Sequence, residues 1–216
     1  METKVLVVDD HDIICFGLAS LLTQNPEYRI IGQACNGIEA LKIVKQKHPD
    51  LVIMDLGMPK MNGLEATRAI KACFPQAEII IQSTQDSGKY VLDCLNAGAK
   101  GVVLTSTLVR DLIPAVKTAL RGETYVSKEL TDHFEQPSSF SWNSFYPSLP
   151  KLSPRERQVL QLLAEGKRSE DIGIILHLCK NTVVSHRQNI MNKLQLRSVA
   201  QLTKYAIREG LTSLDY

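Results

Sequence analysis

The sequence predicts an α/β first domain, a doubly wound parallel sheet of five strands, followed by a small all-α domain. Three observations carry this reading. Short apolar runs alternate with amphipathic stretches over residues 1–127, a Pro- and Ser-rich segment interrupts that alternation, and only helical periodicity follows it. Several of the runs are apolar throughout, as strands are when both faces of their sheet are covered, which is the condition of a parallel sheet.

Residues 5–8, 29–34, 51–54, 78–81 and 101–104 read as the strands. Between them, residues 13–22, 37–47, 64–74, 88–97 and 108–121 carry Leu, Ile, Val and Ala at three- and four-residue steps, the mark of helices with one buried face. Pro26, Pro49 and Pro75 fall where these helices must stop. Five such βα units wind into a sheet whose ligands bind outside the carboxyl ends of the strands, near the point where strand order reverses.

Residues 128–150 read as a linker, and within it residues 135–150 lose all periodicity in QPSSFSWNSFYPSLP, with three prolines and five serines. Phe140, Trp142, Phe145 and Tyr146 make it too apolar for a freely solvated tether and suited to docking on a domain. Residues 151–216 then read as four short helices. The first opens on Ser153-Pro154-Arg155-Glu156, with Ser as cap, Pro at the first helical position and Glu three residues after the cap. Gly166 stops it, Ser169 starts a second that ends near His177, a third spans 181–194, and a fourth runs from Val199 to the residue before Gly210.

Charge separates the two parts. From Lys151 onward lie 11 of the 25 Lys and Arg but only 6 of the 23 Asp and Glu, so this part carries +5 and the rest −3, within an overall +2. A basic C-terminal part points to nucleic acid as a partner, although a solvated basic face has the same composition. No run reaches the roughly 18 apolar residues of a membrane span, and the acids in METKVLVVDD do not suit a signal peptide, so the expected location is the cytoplasm, with no membrane partner. The five cysteines are scattered without any C-x-x-C spacing, which fits buried small side chains better than disulfides or a zinc site.

Asp9 and Asp10 end the first strand and Asp55 ends the third. In a parallel sheet these carboxylates converge at the ligand-binding edge, where they repel one another unless a divalent cation, most naturally Mg²⁺, lies among them. An aspartate so placed acts as a nucleophile toward phosphorus; solvated acids at turns are the alternative. The segments VLVVDDH, VIMDLGMPKMNGLEA and LNAGAKG resemble the receiver domains of response regulators, with the resemblance running over residues 4–127. It implies a flavodoxin-like fold, Asp55 as phosphoacceptor, and a metal shell of Asp9, Asp10, Asp55 and the Gly57 carbonyl. It further implies Ser83 as the hydroxyl that tracks the phosphoryl group, Pro59 and Gly63 as shapers of the loop past the acceptor, and a sensor histidine kinase or small phosphodonor as the phosphate source.

This chain departs from the receiver pattern at two positions. Thr105 stands where a lysine usually pairs with the phosphoryl group, and Val102 where an aromatic switch residue is usual. The first change removes a charge-assisted contact and the second removes the rotamer that reports it. Ser83 and Thr105 are left as the phosphoryl-switch pair, and a receiver that works without phosphorylation is the rival reading. A phosphatase of the haloacid dehalogenase type would need an acid two residues past Asp55, where Leu56-Gly57 gives none.

The segment from Leu152 to Leu211 resembles the helix-turn-helix domain of NarL/FixJ (LuxR-type) regulators. On its third helix Val183, Ile190 and Leu194, beside Met191, form an apolar stripe, while Asn181, Val184, Ser185, Gln188 and Asn192 share the other face. Ser185 and Gln188 suit base edges, Val184 suits a thymine methyl, and Lys180, Thr182, Arg187 and Lys193 suit phosphates. His186 reads as a packed, partly buried ring. Cys179 and Gln195 stand where Ser and Gly usually cap this helix, at up to about 1 kcal/mol each. Val199, Leu202 and Ala206 lie on one face of the last helix, which in the resembling family pairs two domains into a homodimer; closing the domain's own core is the alternative for the same residues.

Overall fold

The computed structural model describes residues 2–84, 88–131 and 152–212. The chain divides into two compact units, one within residues 1–136 and the other within 137–216. The Pro- and Ser-rich segment, with Phe140, Trp142, Phe145 and Tyr146, lies outside the described residues.

The first unit alternates β1 (Thr3–Val8), α1 (Asp12–Thr23), β2 (Tyr28–Ala34), α2 (Gly37–Lys47), β3 (Leu51–Asp55), α3 (Gly63–Cys73), β4 (Glu78–Ser83), α4 (Gly88–Asn96), β5 (Gly101–Leu104), α5 (Leu108–Leu120), β6 (Tyr125–Val126) and α6 (Lys128–Thr131). The strands lie in the order β2-β1-β3-β4-β5-β6 and every pairing is parallel. The sequence pattern predicts five strands; the sixth is a two-residue strand with Tyr125 opposite Gly101 and Val126 opposite Val102. A run so short carries no readable periodicity. The chain past residue 127 also stays with this unit, because Leu130 of α6 is fully buried in its core.

The apolar strands serve two faces. Along β1, Val5 and Val7 pack with Cys15, Leu18 and Leu22 of α1 and Leu112, Ala115 and Val116 of α5. Leu6 and Val8 pack with Ala40 and Val44 of α2 and Ala66 and Ile70 of α3. Alternation of side chains along a strand splits one apolar run between two cores, so it shows no polar face. Order reverses at β1, which has β2 on one side and β3 on the other, and this switch point is where the acids emerge.

Gly63 fixes how α3 starts. Its N–H donates to the Leu56 carbonyl at 2.9 Å, and a Cβ added there would lie 2.2 Å from the Asp55 carbonyl oxygen. Gly63→Ala must push α3 away from the end of β3. The expected cost is on the order of 4 kcal/mol in urea unfolding of the full chain, and a loss under about 1 kcal/mol would contradict this packing.

The second unit holds α7 (Pro154–Ala164), α8 (Ser169–Leu176), α9 (Lys180–Leu194) and α10 (Val199–Arg208). The expected capping box opens α7: Ser153 Oγ accepts the Glu156 N–H at 3.2 Å and Glu156 Oε2 accepts the Ser153 N–H at 2.7 Å. Leu160, Leu163, Ile172, Leu176, Val183, Ile190, Leu202 and Ala206 form the core. Between α8 and α9 the chain folds back on itself, with the Leu178 N–H donating to the Gly173 carbonyl at 2.8 Å. A Cβ on Gly173 would lie 2.7 Å from the Leu178 carbonyl oxygen, so a glycine inside α8 is what lets the turn approach.

Candidate functional site

Strand register brings the acids together. Val8 lies opposite Met54, Asp55 opposite Gln82 and Ser83 opposite Leu104, so Asp9, Asp10, Asp55, Ser83 and Thr105 all leave the sheet at one edge. Asp9 is 4% exposed. Its Oδ1 accepts the His11 N–H at 2.8 Å and lies 3.2 Å from His11 Nδ1, and its Oδ2 accepts Gln82 Nε2. Asp10 Oδ1 lies 3.4 Å from the same ring nitrogen. The ligand atoms of Asp9, Asp10 and His11 fall within 4.8 Å of one another, a clustering that includes His11 where the sequence reading has Asp55 as the third member.

Asp55 caps the loop beyond it, accepting the Gly57 N–H on Oδ2 at 2.7 Å. Burial and then the charge of Asp9 push its carboxyl up to about 7, with Asp10 adding to the rise and the Gly57 and Leu56 N–H groups opposing it. Burial likewise raises Asp9, and the Asp10 carboxylate raises His11. This is the electrostatics of crowded acids that a divalent cation relieves. The donor set fits Mg²⁺, because Asp9, Asp10, Asp55 and the Gly57 carbonyl offer hard oxygens, while the softer His11 imidazole serves as a partner to the two acids.

Ser83 is buried at the end of β4. Thr105 opens a short 3-10 turn after β5, and its buried hydroxyl has no hydrogen-bond partner among the described residues. It brings a hydroxyl to the edge but no positive charge. Lys100 cannot substitute: it lies at the other end of β5, where its ammonium donates to the Gly122 carbonyl at 2.9 Å. Val102 is 2% exposed in the core, so no side chain at that position swings between buried and exposed rotamers.

On α9 the structure exposes Asn181, Val184, Ser185, Gln188 and Asn192, as well as Asn189, which the sequence reading left out. Gln188 Nε2 donates to Asn192 Oδ1 at 3.1 Å and Ser185 Oγ to the Asn181 carbonyl at 3.0 Å. Among the expected phosphate contacts, Lys180 is exposed and pairs with Glu170 at 2.6 Å, and Arg187 and Thr182 are half-buried. Lys193 is tied to the buried Glu156 at 2.8 Å and so braces α9 against α7. The opposite stripe is Val183 and Ile190, both fully buried, with Met191, Leu194 and His186 half-buried.

The helix ends are as the residue types demand. Cys179 makes no side-chain bond to the α9 backbone, and its Sγ lies 2.9 Å from Thr182 Oγ1. Gln195 adopts the left-handed conformation at φ 54°. Gln195→Gly is therefore expected to stabilise the C-terminal unit by about 1 kcal/mol, read as a higher urea midpoint; no gain would mean that this conformation carries no strain.

On α10, Leu202 and Ala206 are fully buried inside the single chain, and α10 lies against α7. In the single chain they close the domain's own core, the alternative that the same stripe allows. Val199, 40% exposed, is what remains of that stripe.

A switch-point acid cluster on a parallel sheet, joined to a helix-turn-helix, defines a two-domain response regulator. Comparison with known proteins agrees. Residues 5–117 match the response regulator receiver domain and residues 150–206 match the bacterial regulatory proteins of the luxR family. The chain is 34% identical over 214 residues to the oxygen regulatory protein NreC of Staphylococcus epidermidis, covering 96% of this chain and 98% of that one. It is 34% identical over 218 residues to NreC of Staphylococcus carnosus, covering 99% and 100%. Among solved structures, a LuxR-family two-component response regulator from Aurantimonas matches 61% of this chain and 94% of its own at 30% identity, with TM-score 0.59. Salmonella typhimurium RcsB matches 94% and 97% at 25% identity, with TM-score 0.60. The chain belongs to the LuxR family of two-component response regulators, which are helix-turn-helix transcription regulators and not enzymes. No helix among the described residues is long and apolar enough to cross a membrane.

Proposed function

We propose that this regulator binds double-stranded DNA through α9 as a homodimer, under control of phosphorylation at Asp55. The observation that carries the reading is the convergence of Asp9, Asp10 and Asp55 at the β1–β3 switch point, with the Ser83 and Thr105 hydroxyls at the same edge. Asp55 Oδ attacks the phosphorus of a phosphohistidine kinase or a small acyl phosphate; the new O–P bond forms as the bond to imidazole or acetate breaks. Asp9, Asp10, Asp55 and the Gly57 carbonyl would hold Mg²⁺, which would supply positive charge against the incoming phosphoryl oxygens. Ser83 and Thr105 donate hydrogen bonds to the transferred group.

On DNA, Asn181, Val184, Ser185, Gln188 and Asn192 face the bases, and Lys180, Thr182 and Arg187 the backbone. Lys193 joins them only by giving up Glu156. Supporting this, RcsB of Salmonella enterica serovar Typhimurium has been solved bound to the promoter rprA in the presence of a phosphomimetic, at 25% identity to this chain. Selection from a randomised double-stranded DNA pool tests the DNA reading: one recurrent motif is expected, and a pool left without enrichment would contradict it.

A second reading rests on Thr105 and Val102. With no charge to hold the phosphoryl group and a switch position filled by a 2% exposed valine, the receiver serves as a partner-regulated module of the same architecture. Acetyl phosphate leaves its oligomeric state unchanged under this reading and shifts it under the first.

A further inference from the structure

One buried polar side chain in the first unit belongs to none of the roles above. Gln82 is 1% exposed at the end of the run Glu78–Ser83, three isoleucines after a glutamate. Burying an amide among apolar groups is costly unless both its N–H and its carbonyl oxygen find partners. Here half of the amide is satisfied: Nε2 donates to Asp9 Oδ2 across 73 residues of sequence. The other half is not, because Oε1 is buried with no hydrogen-bond partner among the described residues.

Register explains how Gln82 reaches the acids. Val7, Ile53 and Ile80 line one face of the sheet. Two residues further along each strand stand Asp9, Asp55 and Gln82, with the same parity and with Asp55 directly opposite Gln82. The Gln82 backbone is fixed as well, since its carbonyl accepts the Leu56 N–H at 2.9 Å. Nε2 and Oε1 share one carbon, so an amide whose nitrogen touches Asp9 Oδ2 holds its oxygen in the same pocket. With His11 donating to Oδ1 and Gln82 to Oδ2, both oxygens of Asp9 are held from the protein side.

We infer that Gln82 is a positioning residue of the cation site: its N–H fixes the Asp9 carboxylate, and its Oε1 is a further neutral oxygen for the bound cation or the water around it. The inference rests on the proposed reading of Asp9, Asp10 and Asp55 as cation ligands. A neutral oxygen adds affinity without adding to the repulsion already present among the three acids.

Mg²⁺ titrated into the full chain by calorimetry tests it, beside urea unfolding without cation. Gln82→Leu, or Gln82→Asn if the leucine variant does not fold, is expected to bind Mg²⁺ about tenfold more weakly, as loss of an outer-shell partner does. Gln82→Glu keeps an oxygen at full length but loses the N–H to Asp9, so it is expected to bind Mg²⁺ more tightly than the leucine or asparagine variant, while its extra charge lowers stability until Mg²⁺ is added. Wild-type affinity in the leucine or asparagine variant, or Gln82→Glu binding as weakly as they do, overturns the inference while leaving the acid site intact. A wild-type chain that takes up no Mg²⁺ overturns the cation-site reading itself and the inference with it.

Discussion

Asp55→Asn is expected to abolish phosphoryl uptake completely. With Mg²⁺ and acetyl phosphate, the intact mass of the wild-type chain gains one phosphoryl group and that of the variant gains none. The amide keeps the size and the Gly57 contact of the carboxylate, which accepts that N–H at 2.7 Å, but its oxygen is a poor nucleophile. Asp9 and Asp10 do not replace it, because both face His11 and Asp9 is held on each oxygen. Thr105 shapes the result differently. A hydroxyl in place of a charge should shorten the life of the aspartyl phosphate or slow its formation, without moving the site of attachment. An adduct persisting on Asp55→Asn would place the acceptor elsewhere and break the account of the β1–β3 edge.

The second large effect is expected on α9. Gln188→Ala removes an exposed amide assigned to a base edge in the proposed function and should cost about 1–3 kcal/mol on a selected DNA site, with specificity relaxed at one position. Arg187→Ala should weaken binding to all sequences alike and lower the slope of log affinity against log salt by about 1. Both are read by fluorescence anisotropy on labelled duplex across a salt series. Equal affinity of Gln188→Ala for selected and random DNA, alongside the same equality in the wild type, would leave α9 as a helix that grips phosphates and reads nothing.

The first unit was legible because its chemistry is carried by residue types at strand ends. Apolar runs closing on Asp9-Asp10 and Asp55 announce both the sheet and its ligand edge, whereas Ser83 and Thr105 enter only through the resemblance to receiver domains. What sequence could not show is which side chains cross between strands. Gln82 stands at the end of an isoleucine run and reads as strand filler until register sets it opposite Asp55. His11 is adjacent to the acids in sequence, yet its part in holding Asp9 depends on a turn that periodicity does not describe. The sixth strand was hidden for a related reason: two residues at a sheet edge have no period.

In the second unit the cap at Ser153 and the exposed face of α9 were readable from spacing, since helix geometry converts spacing into direction. Spacing alone cannot say what lies opposite a stripe. Leu202 and Ala206 suit an interface between chains as well as a core, and only the packing of α10 on α7 decides for the core. Lys193 shows the same limit for charge, because a lysine on an exposed helix face looks free until Glu156 is found beneath it. Gly173 gave no signal at all, its need arising from the backbone of Leu178 in the following turn.

Under the proposed function, the state of Asp55 governs what α9 does on DNA. The direct measurement is the affinity of the full-length chain for its selected duplex in Mg²⁺, with and without acetyl phosphate, beside Asp55→Asn, with oligomeric state followed by light scattering. The phosphodonor is expected to change affinity and oligomeric state in the wild type and to leave Asp55→Asn untouched. A wild-type chain that carries the phosphoryl group, binds the duplex and shows neither change would contradict that function.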